Sequence, residues 1–282
     1  MFLTLRRRLN DNIHPQTMRR NRKDLPDRRM LEVLYRKYNR RQFVHPDPLE
    51  FLYDYPDVRD REIVGLVASS LAYGRVAQIL KSVESVLARI AGKPRTFVES
   101  ASESAVRKAF KGFKHRFSTG DHVSALLTGV GRIVREHGSL GDCFRKGLGK
   151  TDETILPALE KFVLKLDCGD SYLLPLPSKG SPCKRLNLFL RWMVRKDAVD
   201  PGGWKGIPPS KLVIPLDTHM ANIGRQLGLT GRASPGIGMA LDITESFRRI
   251  SPDDPVRYDF ALTRFGIRSE LEMRDLLRSL SG

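Results

Sequence analysis

The sequence predicts an all-α protein. Nearly every apolar run longer than a turn repeats at spacings of three and four residues, the period of a helix with one buried face. Proline, glycine and capping residues stand where those runs begin and end. Only residues 212–216 read as a short extended apolar run. A chain of 282 residues with 40% hydrophobic content can bury a full core, and no stretch approaches the roughly 18 uninterrupted apolar residues of a membrane span.

Taken in order, residues 28–41 place Met30, Leu31, Leu34, Tyr35 and Tyr38 on one face and predict an amphipathic helix. Pro46, Pro48 and Pro56 make residues 43–55 a loop with at most a short helical turn. Residues 57–71 predict a buried helix, capped by Asp57 or Asp60, with Ile63, Val64, Val67, Ala68 and Leu71 inward. Residues 72–75 interrupt it, and helical spacing resumes over 76–91. A further helix spans 119–137. Phe110, Phe113 and Phe117 precede it among lysines: their spacing suits a core face, and aromatics among cations also suit stacked bases. Residues 151–166 are helical, and the tract 173–182 leads into a helix that starts at Lys184. Helices over 235–250, 252–265 and 269–280 complete the chain.

The formal charge is +17. Residues 1–41 carry 13 Lys and Arg against 4 Asp and Glu, and the remainder 36 against 28. The excess is therefore shared between a basic N-terminal arm and the folded body, which favours a polyanionic partner. Cys143, Cys168 and Cys183 are odd in number and contain no Cys-x-x-Cys pair, so neither a disulfide framework nor an iron–sulfur centre is expected. The N-terminus lacks the long apolar run and cleavage site of a secretory signal, so the expected location is cytoplasmic, or nucleoid-associated in a bacterium.

Residues 180–229 concentrate the chemistry. A turn (Gly180, Ser181, Pro182) leads into the helix whose first residues include Lys184. After a Pro/Gly-rich connection, the apolar run 212–216 delivers Asp217 at the start of another helix, which carries Ile223 and Leu227 inward and ends at Gly228. A lysine and an aspartate thus each stand at a helix start. His219 beside a single aspartate is no metal site, and no metal or cofactor is expected.

This segment resembles the catalytic core of the helix-hairpin-helix DNA glycosylase superfamily, which contains endonuclease III and the 8-oxoguanine DNA glycosylases. There, a hairpin of the type LPGVGxKTA carries a nucleophilic lysine and a downstream VDTH-type motif carries the essential aspartate. Leu216-Asp217-Thr218-His219 matches the second motif, and Lys184 falls at the lysine position of the first. The hairpin, residues 176–184, keeps the Leu-Pro opening and one glycine without the Gly-x-Gly tract. Asp217 follows Lys184 by 33 residues, a separation similar to that of the archaeal-type 8-oxoguanine DNA glycosylases. The whole chain also resembles a bacterial family that carries this core.

The resemblance implies two helical lobes around a DNA-binding cleft, with an irregular hairpin. Lobe A would span about 57–182, and lobe B about 28–56 plus 183–282, after a basic arm of residues 1–27. It implies base-excision repair: a DNA glycosylase with associated β-lyase activity, acting on an oxidised purine such as 8-oxoguanine. Lys184 would attack C1′ and Asp217 would stabilise the positive charge developing on the sugar. Lys179, Gly180, Ser181, Arg185 and His219 would hold DNA. Tyr73, Gly74 and Arg75, at the break between two helices, would fill the hole left by an extruded base, unless they form a plain helical hairpin. Trp204 and Trp192 would line the base pocket. The expected partner is double-stranded DNA with a damaged base, bound by a monomer. A non-catalytic helical nucleic-acid binder and a monofunctional glycosylase are the competing readings.

Overall fold

Five helix starts are fixed by side chains that accept a hydrogen bond from an otherwise unpaired backbone N–H. Asp27 accepts from Arg29 at 2.7 Å, Asp57 from Arg59 at 2.8 Å, Ser102 from Ala105 at 3.3 Å, Ser139 from Asp142 at 3.0 Å and Asp217 from Met220 at 2.8 Å. The computed structural model describes residues 25–90, 92–169 and 172–267, together with 271, 274–276 and 280. The basic arm expected over residues 1–27 and the helix expected over 269–280 lie largely outside the described residues.

The described helices are α1 (Arg28–Tyr38), α2 (Val58–Ser70), α3 (Val76–Ile90), α4 (Pro94–Ser100), α5 (Glu103–Phe110), α6 (Gly120–His137), α7 (Leu140–Gly147), α8 (Leu156–Leu166), α9 (Lys184–Val194), α10 (Thr218–Gln226), α11 (Ile237–Ile250) and α12 (Asp259–Ile267). Among the described residues the only strands are β1 (Lys114–His115) and β2 (Ser118–Thr119), an antiparallel pair with Lys114 opposite Thr119. The protein is all-α. Residues 212–216, expected to be extended, are so but pair with no strand; Ile214 N–H donates instead to the Thr244 hydroxyl at 3.0 Å.

Two helices organise the packing. The middle helix α2 buries Ile63, Val64, Leu66, Val67 and Ala68, and also Glu62, Ser69 and Ser70. It packs against the 3₁₀ turn Pro48–Asp54 and against α3, α4, α7 and α9. Helices α5 to α8 pack on one another beyond it, while α1 and α10 both pack on α12. Helix α9 links the groups: its flank lies on α2, and Arg191 on the same helix pairs with Asp259, the first residue of α12. The buried apolar side chains form one continuous cluster through both groups.

Several bounds differ from the sequence expectation for physical reasons. The first helix ends at Tyr38, where Asn39 N–H closes onto the Tyr35 carbonyl, and the loop at 43–55 contains the seven-residue 3₁₀ turn Pro48–Asp54. The helix expected over 151–166 starts only at Leu156, and that expected over 252–265 only at Asp259. Helices α4, α5 and α7 were not anticipated; each has seven or eight residues, too few turns for a periodic signal. Phe110 and Phe113 are buried as a core face requires, whereas Phe117 is 65% exposed.

Candidate nucleic-acid site at the start of α9

The approach to Lys184 is an unusual stretch of backbone. A 3₁₀ turn, Pro177–Lys179, closes on Gly180 with φ +78°, and Cys183 just before α9 also lies in the left-handed region, at φ +47°. That conformation is uncommon for a residue with a Cβ. It is held by Ser181, whose hydroxyl accepts from Cys183 N–H at 3.1 Å, and by the Gly180 carbonyl, which accepts from Ile237 N–H at the start of α11 at 3.3 Å. The hairpin is thereby tied to the C-terminal part of the chain. The buried Cys183 thiol is pushed up to about 12 by burial, so it is no nucleophile at neutral pH.

Lys184 and Arg185 then project onto the C-terminal end of α2. The Lys184 ammonium donates to the Ala72 carbonyl at 3.2 Å, and the Arg185 guanidinium donates to Ser70 at 3.0 Å and to the Tyr172 carbonyl. Cations suit this place, because the last carbonyls of a helix are unpaired and carry the negative end of its dipole. Arg185 also lies over the rings of Tyr73 and Tyr172, 4.9 and 4.8 Å from their centroids. Among the described residues, neither Lys184 nor Arg185 makes an ion pair with a carboxylate.

Asp217 occupies the N-cap of α10, half-buried, its carboxylate accepting from Met220 N–H. Such a cap contributes about 1 kcal/mol to the helix. The nearby Asp259 is pushed up to about 6, first by burial and further by the Asp217 carboxylate, which marks how close the two lie. No hydrogen bond or ion pair joins Lys184 to Asp217. His219 packs onto α12: a Cβ at Gly266 would come within 2.4 Å of its Nδ1, so only glycine admits the ring there.

The two tryptophans are core residues, which corrects the expectation of a base pocket. Trp204 is 8% exposed, donates to Glu62 at 2.8 Å and packs between Phe144 and Phe189. Glu62 also accepts from Leu140 and Gly141 N–H, so the indole helps anchor the start of α7. Trp192 is fully buried in the cluster. Neither ring can reach a base without unpacking the core.

At the break between α2 and α3, Tyr73 is half-buried and its hydroxyl donates to Ser118 at 2.7 Å and His115 O at 2.9 Å, so it is a strut more than a probe. Gly74 and Arg75 are exposed beside it, and Lys179 lies exposed on the hairpin. The basic side chains along α9 fall into two groups. Arg191 and Arg195 are buried, not surface cations. Arg191 pairs with Asp200 and Asp259, and Arg195 with Asp197, Asp200 and Asp254. These carboxylates hold both guanidiniums charged despite burial. Among the described residues no helix is long and apolar enough to cross a membrane, and no cluster of His, Cys, Asp or Glu could hold a metal ion.

The fold and this surface define a helical protein with a lysine-bearing irregular hairpin seated on the end of a buried helix. The chain belongs to the family described as "Protein of unknown function (DUF2400)", which it matches over residues 47–268. No curated protein and no solved structure matches the chain.

Proposed function

We propose that the protein is a DNA base-excision glycosylase with associated β-lyase activity, acting on an oxidised purine. The observation that carries this reading is the position of Lys184. It stands at the first residue of α9, behind a hairpin in a rare backbone conformation, and among the described residues no carboxylate neutralises it, although Arg191 and Arg195 at the other end of the helix are both neutralised.

Cleaving a glycosidic bond develops positive charge on the sugar, and a fixed carboxylate such as Asp217 stabilises it. An amine that attacks C1′ displaces the base and leaves a Schiff base, from which the 3′ phosphate departs by β-elimination. Lys184 supplies the amine once it releases its proton. The lobes would close around a duplex from which the damaged nucleotide is extruded.

The experiment is excision from a panel of duplexes, each with one oxidised purine or pyrimidine. Base release and strand scission at an oxidised purine are expected from the wild type. Asp217→Asn should slow base release about 100- to 1,000-fold, and Lys184→Ala should abolish scission. No release from any duplex would refute the reading. A second reading is favoured by the bond from Lys184 to the Ala72 carbonyl: the ammonium caps α2 and water is the nucleophile. In that monofunctional enzyme, base release survives Lys184→Ala.

A further inference from the structure

The Lys114–Thr119 hairpin is a small rigid element with an unexplained tip. Arg116, at φ +49°, and Phe117 form the two-residue turn between β1 and β2. Beneath the tip the hairpin is anchored by buried polar contacts. The His115 ring meets the Ser82 hydroxyl at 2.8 Å and the Tyr73 carbonyl at 3.2 Å, and Tyr73 in turn holds Ser118 and the His115 carbonyl. Arg116 lies across Gly74, where a Cβ would come within 2.7 Å of its Cδ, and its guanidinium sits 5.5 Å from the Phe117 centroid.

What this scaffold presents is an aromatic ring 65% exposed to water. Phe117 touches Tyr172 edge-on, and Tyr172 touches Tyr73, so two ring contacts join it to the Arg185 platform beside Lys184. Near the hairpin, Lys108, Lys111 and Lys114 are all exposed, and none makes an ion pair or side-chain hydrogen bond among the described residues. All three, with Arg107 and one carboxylate, Asp121, line one shallow depression beside the hairpin. A single ring is too small a patch to dock a protein. A ring on a hairpin that also carries Arg116 and Lys114 matches a base face with phosphates beside it.

We propose that this hairpin is a second nucleic-acid contact: Phe117 stacks on a base exposed in a distorted duplex, and Lys108, Lys111 and Lys114 take the neighbouring phosphates. The choice of DNA as partner rests on the proposed function; the contact itself rests on the hairpin. It also reassigns the probing role expected at residues 73–75, where Tyr73 supports the tip instead of entering the duplex.

The test is fluorescence anisotropy with a labelled duplex holding a tetrahydrofuran abasic analogue, which no glycosylase can cleave by base release, and with the same duplex undamaged. Phe117→Ala should weaken the analogue duplex by roughly 5- to 100-fold, change the undamaged duplex little and leave the salt dependence intact. Phe117→Trp should keep the affinity, and its emission should change on binding, since both native tryptophans are buried. Lys108→Ala, Lys111→Ala and Lys114→Ala combined should weaken both duplexes and flatten the slope of log affinity on log salt by about 2 to 3. All these side chains are exposed, so thermal unfolding should be unchanged. Wild-type affinity in Phe117→Ala and in the triple variant would overturn the proposal. If wild type removes no base yet these losses appear, the contact stands and the enzyme reading falls; base removal with unaltered affinities removes the contact alone.

Discussion

The two ends of α9 carry the same kinds of side chain in opposite circumstances. At the far end, Arg191 and Arg195 are 3% and 4% exposed and share four aspartates, Asp197, Asp200, Asp254 and Asp259. At the near end, Lys184 and Arg185 are part-exposed and, among the described residues, bond only to carbonyls and rings. Charge buried in a core has to be paired, or its desolvation is uncompensated. Charge left without a carboxylate at a surface is available to an anion from outside. The number of carboxylates around a cation therefore separates the helix into a structural end and a binding end.

The largest effect expected from breaking this contrast is on stability. Arg191→Met leaves Asp259 without its partner and Asp200 with one fewer, and should destabilise the fold by about 3–5 kcal/mol. Arg185→Met, six residues earlier on the same helix, loses hydrogen bonds to two carbonyls and its place over the Tyr73 and Tyr172 rings, and should cost about 1–2 kcal/mol while weakening DNA binding. Urea unfolding of the two variants side by side checks this. Equal losses would erase the distinction between the ends.

An intermediate effect tests whether Trp204 belongs to the structural side. Trp204→Phe keeps the packing against Phe144 and Phe189 but removes one of three donors to buried Glu62. A loss of about 1–3 kcal/mol is expected, with affinity for a lesion duplex unchanged. An altered affinity would return the indole to the site.

The smallest effect concerns pH. Burial pushes the His115 imidazole below its ordinary 6.5, and the guanidiniums of Arg116 and Arg185 push the same way. The unfolded chain then binds the proton more readily than the folded one, so stability falls as pH drops below 6.5 and is unaffected well above it. The contribution is at most about 1.4 kcal/mol per pH unit. Comparing the acid-side loss of wild type with that of His115→Asn by urea unfolding isolates it, since the variant should lose less.

The helical class was legible because α2, α3, α6 and α11 each repeat their apolar residues over several turns. So was the Asp217 cap, because Leu216-Asp217-Thr218 sets an acceptor just ahead of a periodic run. The division of α9 was not. Asp254 and Asp259 lie 59 and 68 residues beyond the arginines they neutralise, and nothing local to Arg191 distinguishes it from Lys184. The hairpin was hidden because its turn places Arg116, not glycine, at positive φ. Trp204 stands outside any helix, and the groups that bury it, Glu62, Phe144 and Phe189, are all distant in sequence, Glu62 by 142 positions.

In the proposed reaction the Lys184 amine meets the sugar of an extruded nucleotide. Borohydride reduction during incubation with a duplex containing 8-oxoguanine, followed by peptide mapping of the trapped adduct, tests it most directly. One covalent adduct is expected, on Lys184, absent from Lys184→Ala and strongly reduced in Asp217→Asn. An adduct on another lysine, or one undiminished in Lys184→Ala, would contradict it.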